Sequence, residues 1–312
     1  MAASKSPRKF LILAKIEVTQ FTDPVPTAAL NAILVKNLKV VPLKVTSEDR
    51  ALIRPYFGNS EQIPVSEEAT IDFDVELAGS GAAGTAPGWG VLLRGCGMAE
   101  VISAGVSVTY NPISTAQESI TIYCYRDGLL YKLTGCRGTV KVTMAANKIP
   151  TMSFSFIGDY VPITDVALPT NPVYTIFQTP KASIPLWTGT LTLAAFAAQT
   201  AAFNLDLANV ISHAQWMNAE SLDLMDRKPK GSITVQAVSI ASEDYFTLIR
   251  NSTLSAFTLT HGTAAGNKVT IAAPKVQLVD AAETEYQGAL AFTFNLAFMP
   301  NAGNDEFTIA AL

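Results

Sequence analysis

Residues 70–77 read Thr70-Ile71-Asp72-Phe73-Asp74-Val75-Glu76-Leu77, and the fold is decided here. Ile71, Phe73, Val75 and Leu77 alternate with Asp72, Asp74 and Glu76. A period of two puts the apolar set on one face of a β-strand and the carboxylates on the other. The same alternation predicts strands at residues 106–110, 120–125, 140–144, 152–156, 233–238, 257–260, 268–271, 275–279 and 290–298. Arg126-Asp127-Gly128 and Ala265-Gly266-Asn267 predict hairpin turns. Helices are expected to be few and short. Candidates are residues 25–36, 49–54, 194–202, and a segment opened by Ser242-Glu243-Asp244 with Arg250 suited to its C-terminal end. The class is mainly β.

Composition narrows the function. Charged residues make up 15% of the 312, below the usual quarter, and hydrophobic ones 49%. Such a chain buries a sizeable core and has surface left for neighbours to cover. A formal net charge of −4 argues against a protein that grips nucleic acid through its phosphates. Cys96, Cys124 and Cys136 form no CxxC pair, which argues against a disulfide framework or zinc site and for folding in a reducing cytoplasm. Lys5, Arg8 and Lys9 precede only five apolar residues, too few for a secretion signal. The charge-free stretch 182–205 contains Pro185, Gly189 and Gln199, so a buried strand and helix are expected there, and no membrane binding.

Two features look chemical. Gly79-Ser-Gly81-Ala-Ala-Gly84 is a GxGxxG, but a dinucleotide fold needs it to open into a helix, and Pro87-Gly88 follow at once. A flexible surface loop is expected instead. His213 and His261 stand alone, outside any metal-ligand or triad spacing, so no catalytic residue, metal or cofactor is assigned. The row Asp72, Asp74, Glu76 shares one solvated environment, which suits a water-facing wall better than acid–base work. In a ring, such a wall would repel DNA and keep it from sticking.

An internal repeat organises the chain. Trp89-Gly-Val-Leu-Leu-Arg94 resembles Tyr245-Phe-Thr-Leu-Ile-Arg250. Lys132-Leu-Thr and Lys268-Val-Thr follow in the same order, as do Lys141-Val-Thr-Met and Lys275-Val-Gln-Leu, then Phe154-Ser-Phe156 and Phe292-Thr-Phe294. The expected division is a first domain at 1–162, a Pro-rich linker at 163–172 and a second domain at 173–312.

Tandem β-rich modules, one short helix per repeat and an acidic strand face resemble the major tail tube proteins of long-tailed, siphophage-type bacteriophages, in their two-domain form. The closest stretch runs from Glu48-Asp-Arg-Ala-Leu-Ile-Arg-Pro-Tyr-Phe57 through the acidic strand, Trp89-Gly-Val-Leu-Leu-Arg94 and Gly138-Thr-Val-Lys-Val-Thr143 to Phe154-Ser-Phe156. The resemblance implies two tandem β-sandwich or barrel domains, each flanked by a short helix. It implies homotrimeric rings with pseudo-sixfold symmetry, favoured over hexamers, stacked into a hollow tube in the virion. Tape-measure protein and genome DNA would pass through the lumen without specific binding, and tail-terminator and baseplate proteins would meet the tube ends. Asp72, Asp74, Glu76, Thr234 and Gln236 are then expected to face the lumen. Residues 59–69 and the tail 301–312 are expected to be extended and to make inter-ring contacts, through Asn59, Glu61, Glu67, Asp305 and Glu306. Competing readings are a baseplate or tail-completion ring, the inner tube of a contractile injection device, a carbohydrate-binding β-sandwich adhesin, and an enzyme resting on the GxGxxG.

Overall fold

The structure, a computed structural model, describes residues 4–6, 8–189 and 191–312. In chain order the first half contains β1 (Phe10–Ile16), α1 (Ala28–Asn31), β2 (Ala32–Ile33), β3 (Lys36–Asp49), β4 (Gln62–Glu76) and α2 (Gly90–Gly95). It continues with β5 (Met98–Ser103), β6 (Ser107–Pro112), β7 (Ile120–Arg126), β8 (Leu129–Ala145) and β9 (Thr151–Asp165). The second half holds β10 (Leu191–Leu193), β11 (Phe196–Ala198), β12 (Thr200–Asp206), β13 (Asn209–Trp216), β14 (Ala219–Arg227) and β15 (Lys230–Gln236). It ends with α3 (Tyr245–Arg250), β16 (Leu254–His261), β17 (Val269–Tyr286), β18 (Ala289–Met299) and β19 (Thr308–Ala311). The fold is mainly β with large antiparallel sheets, and the three helices among the described residues are short.

All the strands expected from alternation are present. β4 carries the decisive pattern: Ile71, Phe73 and Val75 are buried and Asp72, Asp74 and Glu76 half-buried. Phe73 sits 5.9 Å from Phe154 and 6.0 Å from Phe156, ring to ring, because β9 lies beside β4 with Phe73 opposite Phe154. In the second half Phe203 stacks on Phe257 at 4.8 Å, and Tyr245 of α3 meets Phe294 at 5.0 Å. Both expected turns form: Asp127 and Gly128 take positive φ between β7 and β8, and Gly266 does so between β16 and β17.

The two halves repeat one strand order. The first runs β3-β4-β9-β8 and the second β12-β15-β18-β17. Ile71 lies opposite Phe156 as Ile233 lies opposite Phe294, so Asp72 and Thr234 occupy matching places. Two of the four sequence matches, those of the helices and of the Phe-x-Phe strands, fit this scheme. The two lysine matches do not: Lys132 lies opposite Val161 and Lys141 opposite Ser153, whereas it is Lys275 that lies opposite Met299, the counterpart of Val161, so the lysines of the two halves are out of step along the strand.

The helix expectations need correction. Residues 49–54 are not helical, because Ala51 is left-handed (φ 44°) and Asp49 Oδ1 accepts its N–H at 3.2 Å, which ends any helix before it starts. Within 25–36 only α1 is helical, since Ala32 and Ile33 pair with Leu13 and Ile12. Residues 194–202 form a turn and two strands, with Ala194 and Ala195 at positive φ. Tertiary pairing overrides the helix propensity of alanine here. α3 forms as expected, but Asp244 is its cap, accepting the Thr247 N–H at 2.9 Å.

The glycine motif is not a free loop. Gly81 N–H donates to the Gly266 carbonyl at 2.9 Å, and a Cβ on Gly79 would lie 2.1 Å from that oxygen. Glycine is required because two turns, one from each half, touch backbone to backbone. The next helix, α2, begins only at Gly90.

Candidate assembly edges and channel face

One polar face runs unbroken across both halves. β8 of the first half pairs directly with β12 of the second, Met144 opposite Phe203 and Lys141 opposite Asp206. The expected channel residues therefore sit on a single surface. One row passes from Glu76 through Thr151, Thr143, Asn204, Ser232 and Asn295 to Asp280. A parallel row passes from Asp74 through Ser153, Lys141 and Asp206 to Lys230. Thr234 hydrogen-bonds Thr293 at 2.8 Å, and Gln236 is exposed at the end of β15.

This face is mixed in charge, not a plain acidic wall. Ser155 donates to Asp72 at 2.7 Å, Asn37 donates to Asp74 at 2.7 Å, and Lys36 reaches Glu76 at 3.5 Å. Lys39 lies opposite Asp72 and Lys141 opposite Ser153 in the next row. Alternation along one strand revealed its carboxylates but not the lysines that pairing places beside them.

At the two outer borders of the repeated strand orders, an edge lacks a partner among the described residues. β3 pairs with β4 alone. β17 pairs with β16 and β19 only as far as Gln277, and residues 279–286 pair with β18 on one side only. The free edges differ in charge: β3 offers Lys36, Lys39 and Lys44, while residues 279–286 carry Asp280, Glu283 and Glu285. Pro42 falls within a register shift of β3, where a missing N–H breaks no ladder.

The residues expected between rings are scattered. Beyond Ala69, the last β4 residue paired with β9, β3 and β4 continue as a two-stranded arm. Asn59 and Glu61 are exposed near its tip, with Glu61 held by Arg50 at 2.8 Å. Glu67 is exposed at its base, while Glu68 is taken up by Lys44 at 2.5 Å and His213 at 3.8 Å. The tail corrects the expectation of a loosely held extension. Phe307 and Ile309 are fully buried, and β19 is woven between β17 and β6. Asp305 accepts three backbone N–H groups of the preceding turn, from Asn301, Ala302 and Gly303, and Glu306 is buried against Arg227 at 3.0 Å.

The described residues present no candidate metal centre. No group of three or more His, Cys, Asp or Glu residues is placed to hold a metal. All three cysteines are free and buried, and burial pushes the Cys124 thiol up to about 12. No helix among them is long and apolar enough to cross a membrane. His261 is structural: its ring nitrogens meet the Lys181 carbonyl at 3.0 Å and Thr188 Oγ1 at 3.1 Å, tying the inter-half segment to β16. Burial lowers its pKa from 6.5, against the opposing pull of the Lys181 carbonyl. The folded chain therefore resists a proton that the unfolded chain binds, and stability must fall as pH drops below about 6.5. We expect the melting temperature of wild type to decline from about pH 7.5 to about pH 5.5, and His261→Gln to flatten that decline. Identical slopes would remove His261 from this role.

No curated protein matches the chain. A family model described as phage tail tube protein matches residues 9–301, nearly its whole length. The chain belongs to the phage tail tube protein family.

Proposed function

We propose that the chain is the subunit of a siphophage-type tail tube in two-domain form, with a division near residues 162–172, and that it performs no catalysis. Three copies close into a ring of six similar modules, the rings stack, and the polar face bearing Asp72, Asp74, Glu76, Thr234 and Gln236 lines the lumen. Tape-measure protein and DNA pass along that lumen without specific binding, and terminator and baseplate proteins meet the ends. The chain is made in the host cytoplasm and ends in the virion.

One observation carries the ring: the joint between β8 and β12 is already present once within the chain. β12 occupies in the second half the place of β3 in the first, and residues 284–286 occupy the place of Lys141–Thr143, part of the segment of β8 that β12 joins. The internal joint is thus a template for β17 of one copy meeting β3 of the next. Carrying its register over sets Val41 opposite Tyr286 and Lys44 opposite Thr284, between Glu283 and Glu285. Two edges that are a liability in a monomer then become paired in a closed ring.

The double variant Val41→Cys, Tyr286→Cys tests this. Under oxidation it is expected to give covalent trimers on a non-reducing gel, dissolved by reductant and absent from either single variant. Covalent species larger than a trimer would overturn the ring size. Unlinked monomers from tubes that still assemble would overturn the joint. Electron microscopy of the same sample separates a tube, which grows, from a completion protein, which stops at one ring.

A further inference from the structure

We propose that the apolar tip of the β3–β4 arm, residues 52–57, seats in a cavity at the opposite end of the second half of a copy in the adjacent ring. This rests on the tube reading above and names the receptor for its stacking contact.

The tip is unusual for a surface. Ile53 and Phe57 are wholly exposed (102% and 107%), and Tyr56 is 67% exposed. Clustered large apolar groups in water mark a contact site. Arg50 and Glu61 pair at the neck, at 2.8 Å, so the apolar residues between them are presented as a unit.

The cavity measures about 770 Å³. Its walls include Ile184, Pro185, Leu191, Phe203, Leu259 and Leu290, and no charged side chain lines it. Ser183 Oγ, on the wall, is buried and lacks a hydrogen-bond partner. Such a lining selects an apolar occupant with a few polar backbone groups.

Strand register sets the two features at opposite ends. Gln62 begins β4 at the arm, and Glu76 ends it opposite Thr151. Thr143 pairs with that same Thr151, and Ala145, further along β8, lies opposite Ala202 on the cavity wall. Fourteen residues of strand separate Gln62 from Glu76, roughly 45 Å at strand rise. A tip at one end and a socket at the other make a head-to-tail contact, which repeats without closing and so builds a filament.

The first half shows what fills such a mouth. Asp74 and Gln236 hold matching places in the two sheets, and each lines the cavity of its own half. In the first half the Ile176-Phe177 segment occupies the mouth. Phe177 lies so close to Gly88 that a Cβ there would meet its ring at 2.3 Å, and about 210 Å³ is left beside Trp89. An isoleucine and an aromatic ring thus close one socket, and the arm tip carries the same chemistry to the other.

Two experiments test the inference on the full chain. Ile53→Asp with Phe57→Asp, on side chains without contacts in the fold, is expected to leave rings intact. The protein concentration needed for tubes should rise more than about tenfold, from the apolar burial lost. A photo-crosslinking amino acid at Phe57 is expected to link copies in tubes, with the attachment mapped by mass spectrometry to residues 183–203 or 286–291. Tubes that grow normally from the aspartate variant, or crosslinks that map elsewhere, overturn the inference and leave the ring joint standing. A wild-type chain that forms neither rings nor tubes overturns both.

Discussion

Proline at alternate positions of residues 283–285 is expected to abolish tubes while leaving the monomer folded. In an antiparallel strand, successive N–H groups point to opposite sides. Those directed toward β18 hold the hairpin, and a proline there costs about 3 kcal/mol or more. Those directed away have no partner within the chain, so a proline in their place removes only a donor offered to the next copy. Glu283→Pro, Thr284→Pro and Glu285→Pro therefore split into two classes. In one, thermal unfolding of the monomer is shifted. In the other, it changes by less than about 1 kcal/mol, yet sedimentation detects no rings. The substitution with the intact monomer is the informative one. Tubes formed by that variant would show that this edge does not join copies.

Glu17→Ala is expected to cost the unassembled chain about 3–5 kcal/mol. Glu17 is 6% exposed, yet its carboxylate accepts from Ser119 Oγ at 2.6 Å, Thr121 Oγ1 at 2.5 Å, Gly135 N–H at 2.7 Å and Phe21 N–H at 3.0 Å. It ties the segment after β1 to β7 and to the register shift in β8, where Gly135 sits at φ 63°. Removing the acceptor strands several buried donors at once, and each costs far more unpaired than it contributed when paired. Glu17→Gln retains one carbonyl oxygen and turns the other position into a donor among donors, so it should fall between wild type and alanine. Denaturant midpoints of the three chains provide the measurement. An alanine variant within about 1 kcal/mol of wild type would mean that water satisfies those groups.

Much of the sheet was legible in the sequence. Residues 70–77, 120–125 and 152–156 show themselves because one face is buried throughout, which forces every second residue to be apolar. β3 left no such mark. It is an edge strand with Pro42 in a register shift, and its apolar residues are at best half-buried, so selection for alternation is weak. The arm was mistaken for a helix at 49–54, because Ser47-Glu48-Asp49 has the composition of a helix start while the chain there is still pairing with β4. The C-terminal tail looked loose because the partners of residues 308–311 lie on β17 and on β6, about 200 residues earlier in the chain.

By itself, the sequence determined the class of fold, the two-sided character of its strands, the approximate repeat and the absence of a basic footprint for DNA. These depend on local period and composition. Only the tertiary structure decided that β8 and β12 join the halves into one sheet, that lysines stand among the carboxylates of the polar face, and that the outer borders of β3 and of residues 279–286 remain open. Those are facts of neighbourhood between distant segments, and hydrogen-bond pairing across a sheet leaves almost no trace along a single strand.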